Sequence, residues 1–270
     1  MIVIGDQEFK NFSNYIRLHY GIHFKMEKKT LIAGRLGPLL SKMNFDSLTD
    51  YMEYVMADRT GRAATIMLDR ITTNHTFFMR EPSHFRYFQD QVLPYLEKTV
   101  KDKDLRIWCA ACSTGEEPYT LAMIIDQFFL WDKTAWDTKI LATDISSKAI
   151  FTAKAGIYAK ENVCNLPADW RKKYFSKYDE ERYKISDKIK NEVIFGRFNL
   201  NNEFPFKRKM HVIFCRNVMI YFDTETKDNL TKRLYDMTEP GGFLFISHSE
   251  SLNRGKTHYR YVMPAVYRKE

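Results

Sequence analysis

Three groups of polar residues stand where an otherwise apolar sequence offers them little water. The first is the run CAACSTGEEP over 109–118, in which Gly115 and Pro118 mark a turn opening a helix and Glu116 and Glu117 fall in its first turn. A phosphate-gripping loop needs glycines and freedom from nearby anions, because its backbone N–H groups and helix dipole face negative charge. This turn has the opposite character and suits a ligand that carries positive charge or offers N–H and hydroxyl donors. The second is Asp144, closing the apolar run ILATD; an acidic residue at the carboxyl end of a second strand accepts hydrogen bonds from ribose hydroxyls. With a late Pro240-Gly241-Gly242 turn feeding the apolar run Phe243–Ser247, these features suggest a site for S-adenosylmethionine, which has a ribose, a cationic sulfonium and an amino group. The third is Arg216-Asn217, at the end of the apolar run Met210–Cys215, where such side chains are costly unless partnered. They belong either to a structural network under a loop or to the site itself.

The C-x-x-C of Cys109 and Cys112 raises redox or metal chemistry as an alternative. A thioredoxin-like pair would open the helix itself, whereas here Cys109 falls inside a strand and Cys112 in the turn, ahead of Pro118. His75, His84, His211, His248 and His258 are scattered and complete no zinc set, so the cysteines read as small structural residues and no metal is expected.

The elements that must position these residues change style along the chain. From Asp6 to about Asp69, Phe9, Phe12, Ile16, Tyr51 and Val55 follow helical spacing, with Gly37-Pro38 predicting a kink or break in the second helix. Thr72–Arg80 has no helical stripe and is dense in hydroxyl and amide groups. After Pro82, helices (about 84–98, 118–129, 147–155 and 224–237) alternate with short apolar strands (105–110, 139–143, 210–215 and 243–247), the pattern of a parallel sheet covered on both faces. The short runs Tyr183–Ile185 and Val193–Phe195 interrupt it. The expected fold class is α/β: a doubly wound, Rossmann-like methyltransferase domain over 83–270 with a β-subdomain insertion at about 170–198, a small N-terminal all-helical domain over 1–70, and a linker, 71–82, that contributes to the cofactor site.

Composition bounds the rest. With 44% hydrophobic and 15% aromatic residues the chain is too apolar to be disordered, and it contains no run of apolar residues long enough to span a membrane. Four cysteines are few for a disulfide framework, and the N-terminal MIVIGDQEFK lacks a signal-peptide pattern, so a reducing cytoplasm is expected. The net charge of +8 favours anionic partners, but no aromatic-studded basic tract marks a nucleic-acid binder, and none is expected.

The strings TTNHTFFMRE (72–81), STGEEPYTLA (113–122), ATDIS (142–146), FNL (198–200), FCRNVMIYFD (214–223) and SHSES (247–251) resemble, in this order, the CheR-type chemotaxis receptor glutamate methyltransferases. The resemblance covers nearly the whole chain. It implies transfer of a methyl group from S-adenosylmethionine to receptor glutamates, leaving S-adenosylhomocysteine. It also implies that Asn74, Thr76 and Arg80 close over the cofactor, Glu117 binds its amino-acid portion, and Asp144 holds the ribose. Asn199 and Leu200 flank the adenine, and Arg216, Asn217 and Tyr221 line the cavity beside the methyl group. Arg80 and Tyr221 are the expected catalytic pair, Arg80 steering the substrate carboxylate and Tyr221 hydrogen-bonding it.

The implied partner is the cytoplasmic helical domain of methyl-accepting receptors, bound by a monomer without membrane insertion. Against such an acidic helix, Lys28, Arg35 and Lys42, spaced by seven on one helical stripe, are the expected docking charges; the alternative is an ordinary solvated face. The connection SKYDEER (176–182) is short and glycine-free, which counts against binding of a receptor tether. Two other functions compete: a non-catalytic S-adenosylmethionine-binding adaptor and an RNA methyltransferase.

Overall fold

The computed structural model describes residues 4–130 and 133–270; the first three residues of the expected helical domain lie outside the described residues. Helix α1 (Asp6–Tyr20) opens with the Gly5 N–H donating to Glu8 Oε2 at 2.8 Å, buries Phe9, Phe12 and Ile16 on one stripe, and stops at Gly21 with φ 74°. Helix α2 (Lys29–Lys42) runs through Pro38 as one element rather than two. The forfeited backbone bond is outweighed by burial of Ile32, Leu36, Leu39 and Leu40. Helices α3 (Leu48–Ala57), capped by Ser47, and α4 (Arg62–Ile71) complete the bundle. Its apolar residues share one core with Trp108, Ala110, Ile213 and Leu244 of the sheet described next and with Ile246 just past it, so the helical unit packs directly against the α/β unit.

After the irregular linker, α5 (Pro82–Tyr87) and α6 (Leu93–Thr99) are joined by a π-helical turn over Phe88–Val92. Strand β1 (Ile107–Ala110), helix α7 (Glu116–Phe129), strand β2 (Ile140–Asp144) and helix α8 (Ser147–Ala155) follow in the expected alternation. Beyond them come β3 (Ile157–Ala159), α9 (Lys160–Cys164), α10 (Ala168–Tyr174), β4 (Phe175–Lys177), β5 (Arg182–Ile185), α11 (Asp187–Lys190) and β6 (Val193–Arg197). The chain ends with β7 (Met210–Phe214), α12 (Thr224–Met237), β8 (Thr238–Phe245), β9 (Arg260–Met263) and β10 (Val266–Arg268).

The main sheet has the order β6-β2-β1-β7-β8-β10-β9, parallel from β6 through β8 and antiparallel across the final hairpin. The carboxyl ends of β1, β2 and β7 therefore share one edge, where α/β sheets bind ligands.

Two sequence expectations are corrected. Val193–Phe195 belongs to the main sheet, with Val193 opposite Ile140 and Phe195 opposite Ala142, while the small sheet is β3-β5-β4; the β insertion spans 157–185 rather than about 170–198. An edge strand exposed on one side, as Ile194 is, has no more apolar signal than a strand of a small subdomain. Pro240-Gly241-Gly242 is not a turn ahead of a strand but an irregularity within β8, where register shifts between Met210 and Val212. Gly241 has φ 78°, and a Cβ on Gly242 would stand 2.8 Å from the His211 carbonyl oxygen. This bulge lies at the start of β8, away from the ligand-binding edge, and plays no part in the site.

Candidate active site

A cavity of about 690 Å³ opens at that edge, roofed by the linker and the N-terminal helices. It is lined by Asn74, Thr76, Arg80, Glu117, Asp144, Asn199, Leu200, Arg216, Asn217 and Tyr221, so all the expected catalytic and cofactor residues converge on one space. Its size suits a small-molecule ligand, for which roughly 300–1,000 Å³ is usual.

The turn after β1 is built by unusual backbone. Ala111 (φ 106°), Ser113 (φ 50°) and Gly115 (φ 96°) all lie in the left-handed half of conformational space, and a Cβ on Gly115 would come within 2.9 Å of Ala153 Cβ. This twist aims the Ser113 N–H at Asp144 Oδ2 (2.8 Å), while Ser146 N–H donates to Oδ1 (2.9 Å). Each Asp144 oxygen thus has one lone pair fixed and another available to a ribose hydroxyl. Burial pushes the carboxyl upward against these bonds. The linker is stitched to the same place: Ser113 Oγ donates to the Asn74 carbonyl oxygen (3.0 Å), Asn74 Nδ2 to Ser146 Oγ (3.3 Å), and Ser146 Oγ to Asp69 Oδ1 (2.7 Å).

Behind this wall the Arg216 guanidinium, 5% exposed, is enclosed by two carboxylates. Its Nη1 donates to Glu117 Oε2 at 2.7 Å, its Nη2 lies 3.1 Å from Glu81 Oε2 and donates to the Arg80 carbonyl oxygen at 2.5 Å, and the plane stands over Phe85. Burial raises the Glu117 carboxyl, more than Arg216 lowers it, whereas for Glu81 burial is the largest single influence but Arg216, the Ser247 hydrogen bond and His84 together outweigh it and hold the group below its ordinary value. The pocket therefore presents two carboxyls raised by burial, Glu117 and Asp144, and a cationic ligand group beside Glu117 would stabilise its charged form. These carboxylates fit S-adenosylmethionine: Glu117 would hold its ammonium group and Asp144 its ribose.

Burial raises both Cys109 and Cys112 thiols far above their usual range, so neither is a thiolate. Cys112 lines the cavity, and Cys109, outside the lining, hydrogen-bonds Glu117.

Several of these residues also make contacts within the protein. Arg80 Nη1 is bent onto the His75 carbonyl oxygen (2.8 Å), shaping its own linker. Asn199 donates to the His19 carbonyl oxygen (2.8 Å), tying the strand end to α1. Asn217, at φ 58°, turns its amide to Ser247 Oγ (2.7 Å). Of the expected docking stripe, Lys28 and Arg35 line the cavity and Lys42 does not, and the Arg35 guanidinium also braces the linker, donating to Ile71 O (2.6 Å) and Thr73 Oγ1 (2.9 Å). A seven-residue repeat places side chains on one helix face but does not say which of them another segment will claim.

Two residues escaped the sequence reading. Glu81 links Arg216 to Ser247 Oγ (2.9 Å), and Glu250 accepts from the backbone N–H groups of Ser247, Asn217 and Ile220, holding the loop that carries Tyr221. Both lie inside strings already singled out, TTNHTFFMRE and SHSES; the available signal was a carboxylate beside Arg80 in the first and between two serines in the second. Glu81, His84 and His248 also bring ligand-type atoms within 4.8 Å of one another, but Arg216 already supplies the positive charge there.

One residue of the turn gives the fold a pH dependence. Glu116 is 3% exposed, receives a hydrogen bond from Thr114 Oγ1 (2.6 Å), and is pushed by burial up to about 7. Its folded value lies above its unfolded one, so between roughly pH 4.5 and 7 the folded state keeps a proton that the unfolded state releases, and stability falls as pH rises through that window. Relative to wild type, Glu116→Gln should gain about 2–3 kcal/mol between pH 5 and pH 8 in urea unfolding. A constant difference would show that Glu116 is ionised throughout.

Comparison with known proteins decides the family. Residues 74–267 match the CheR methyltransferase, SAM binding domain, and residues 7–72 match the CheR methyltransferase, all-alpha domain. The chain belongs to the CheR methyltransferase family. Among similar CheR relatives, a chemotaxis protein methyltransferase of Borreliella burgdorferi is 37% identical, covering 99% of this chain and 96% of its own. A probable chemotaxis protein methyltransferase of Rhizobium etli is 35% identical over 92% and 97%, and chemotaxis protein methyltransferase 2 of Vibrio cholerae 34% over 94% and 88%. The CheR assignment makes this chain an S-adenosylmethionine-dependent methyltransferase, and no helix among its described residues is long and apolar enough to cross a membrane.

Proposed function

We propose that this CheR protein methylates glutamate side chains on the cytoplasmic helical domain of chemotaxis receptors, forming methyl esters for sensory adaptation, and that it works as a monomer in the cytoplasm. The observation that carries this reading is a single cavity that joins the Glu117 and Asp144 carboxylates to Arg80 and Tyr221, with Lys28 and Lys227 also in its lining. When bound, the cofactor supplies a methyl group on a positively charged sulfur. A glutamate acceptor is already ionised at neutral pH, with a pKa near ~4.3, so the protein has no proton to remove. Its tasks are to orient the carboxylate and exclude water. Arg80 and Tyr221 are suited to bind the two carboxylate oxygens. The Tyr221 loop is held for this purpose by Glu250 and by the His23 N–H, which donates to the Tyr221 carbonyl oxygen at 2.8 Å.

Methyl-labelled S-adenosylmethionine offered together with receptor cytoplasmic fragments and RNA tests the reading. Label on the receptor that alkali releases is expected. Label on RNA would favour the nucleic-acid enzyme, and cofactor binding without any transfer would favour the adaptor.

A further inference from the structure

The small sheet β3-β5-β4 stands apart from the main sheet, yet one of its side chains reaches both walls of the cofactor site. Tyr158, in the middle of β3 and 4% exposed, donates its hydroxyl to the Thr114 carbonyl oxygen at 2.8 Å. That carbonyl lies between Ser113 (φ 50°) and Gly115 (φ 96°), in the turn whose Ser113 N–H aims Asp144. Helix α7 cannot supply a donor in the usual way, because the residue four positions on is Pro118, which has no N–H. The Tyr158 hydroxyl takes its place and fixes a peptide plane that a strained turn would otherwise relax. The ring of Tyr158 serves the opposite wall. It stands edge-on to Phe78, with centroids 5.0 Å apart, and Phe175 of β4 meets the same Phe78 edge-on at 5.5 Å. Phe78 is buried in the linker between Thr76 and Arg80, which line the cavity, whereas Phe78, Tyr158 and Phe175 do not. Strand β3 is itself locked: the Gly156 carbonyl oxygen accepts from the Ile185 N–H (2.9 Å), and a Cβ on Gly156, at φ 67°, would stand 2.7 Å from Ile185 Cγ2.

We propose that the small sheet is a clamp on the cofactor site and that Tyr158 is its positioning residue, given a cofactor seated between Asp144 and the linker and whatever group accepts the methyl. The hydroxyl sets the turn on one side of the cofactor, and the ring holds the linker on the other. Tyr158 touches no reacting atom. It acts through Ser113 and Asp144 on one wall and through Phe78 on the linker residues Thr76 and Arg80 on the other, so its loss is felt first as cofactor affinity.

Calorimetric titration of the full chain with S-adenosylhomocysteine, in the absence of any receptor, tests the clamp separately from the choice of methyl acceptor. Tyr158→Phe deletes the hydroxyl and keeps the ring, and Kd should rise about 3–10-fold. Phe78→Leu keeps the hydroxyl bond and removes the edge-on contacts; Kd should rise by a similar factor of about 3–10, with faster hydrogen exchange over linker residues 72–80. Tyr174→Phe controls for general loosening of the small subdomain. Tyr174 is as deeply buried as Tyr158, and its contacts run to Trp170 and to Met123 and Asp126 of α7 rather than to the turn or the linker. Its substitution should lower Tm about as much as Tyr158→Phe does and leave Kd within about twofold of wild type. A wild-type Kd in Tyr158→Phe, an equal rise in Tyr174→Phe, or a wild-type Kd and linker exchange in Phe78→Leu overturns the clamp.

Discussion

Asp144→Asn should weaken S-adenosylhomocysteine binding by roughly 10–100-fold, because a hydrogen bond to a charged group contributes about 1.5–3 kcal/mol. The carboxylate is 8% exposed and each of its oxygens is already aimed by a backbone N–H, from Ser113 and Ser146. An amide in the same place must set its NH2 against one of those donors and has a single oxygen left to share between backbone and ribose. Repulsion and the lost acceptor act in the same direction. Calorimetric titration of the variant checks this, alongside thermal unfolding to show that the fold survives. Affinity within twofold of wild type would mean that the ribose is held elsewhere.

The largest loss of stability is expected from Arg216→Met. Removing one member of a buried charge cluster leaves the others unpaired, a penalty of about 3–5 kcal/mol. Here two carboxylates, Glu117 and Glu81, would face each other without the guanidinium that now lies 2.7 and 3.1 Å from them. The penalty should depend on pH. Without Arg216 both carboxyls are driven above their unfolded values, so the cost is full above the raised values and fades as pH falls and they take up protons. Urea unfolding at pH 8 and pH 5 should therefore show the variant recovering part of its deficit at the lower pH. Adding Glu81→Gln should restore part of it at pH 8. A deficit that is the same at both pH values and unaffected by Glu81→Gln would mean that Arg216 acts through packing on Phe85 rather than through charge.

The layout of the site was legible in the sequence because strand ends are. Short apolar runs between helices place Glu117, Asp144 and Arg216 at the same edge of a parallel sheet, and the acidic first turn of α7 argues for a cationic ligand before any atom is placed. Partner choice was not legible. That Arg216 bridges Glu117 and Glu81, residues separated from it by 99 and 135 positions, depends on the linker folding back across β7. That Arg35 holds Ile71 and Thr73 depends on where α4 ends. The small β subdomain was misplaced for a related reason: an edge strand such as β6 and a strand of a small separate sheet have the same length and the same half-exposed pattern. The left-handed backbone at Ala111, Ser113 and Asn217 was also invisible, since none of these is glycine. All three lie in the loops around the cavity, where strain is held in place by buried hydrogen bonds such as those to Asp144 and Glu250.

Glutamate as the acceptor is tested most directly by locating the transferred methyl group. A receptor cytoplasmic fragment methylated by the wild-type enzyme would be digested at acidic pH, which preserves esters, and its peptides sequenced by mass spectrometry. A methyl ester on glutamate side chains of the receptor helix is expected, absent when those glutamates are replaced by glutamine and when the enzyme carries Asp144→Asn at limiting cofactor. A methyl group on a nitrogen or sulfur atom, or transfer that persists in the glutamine-substituted receptor, would contradict it.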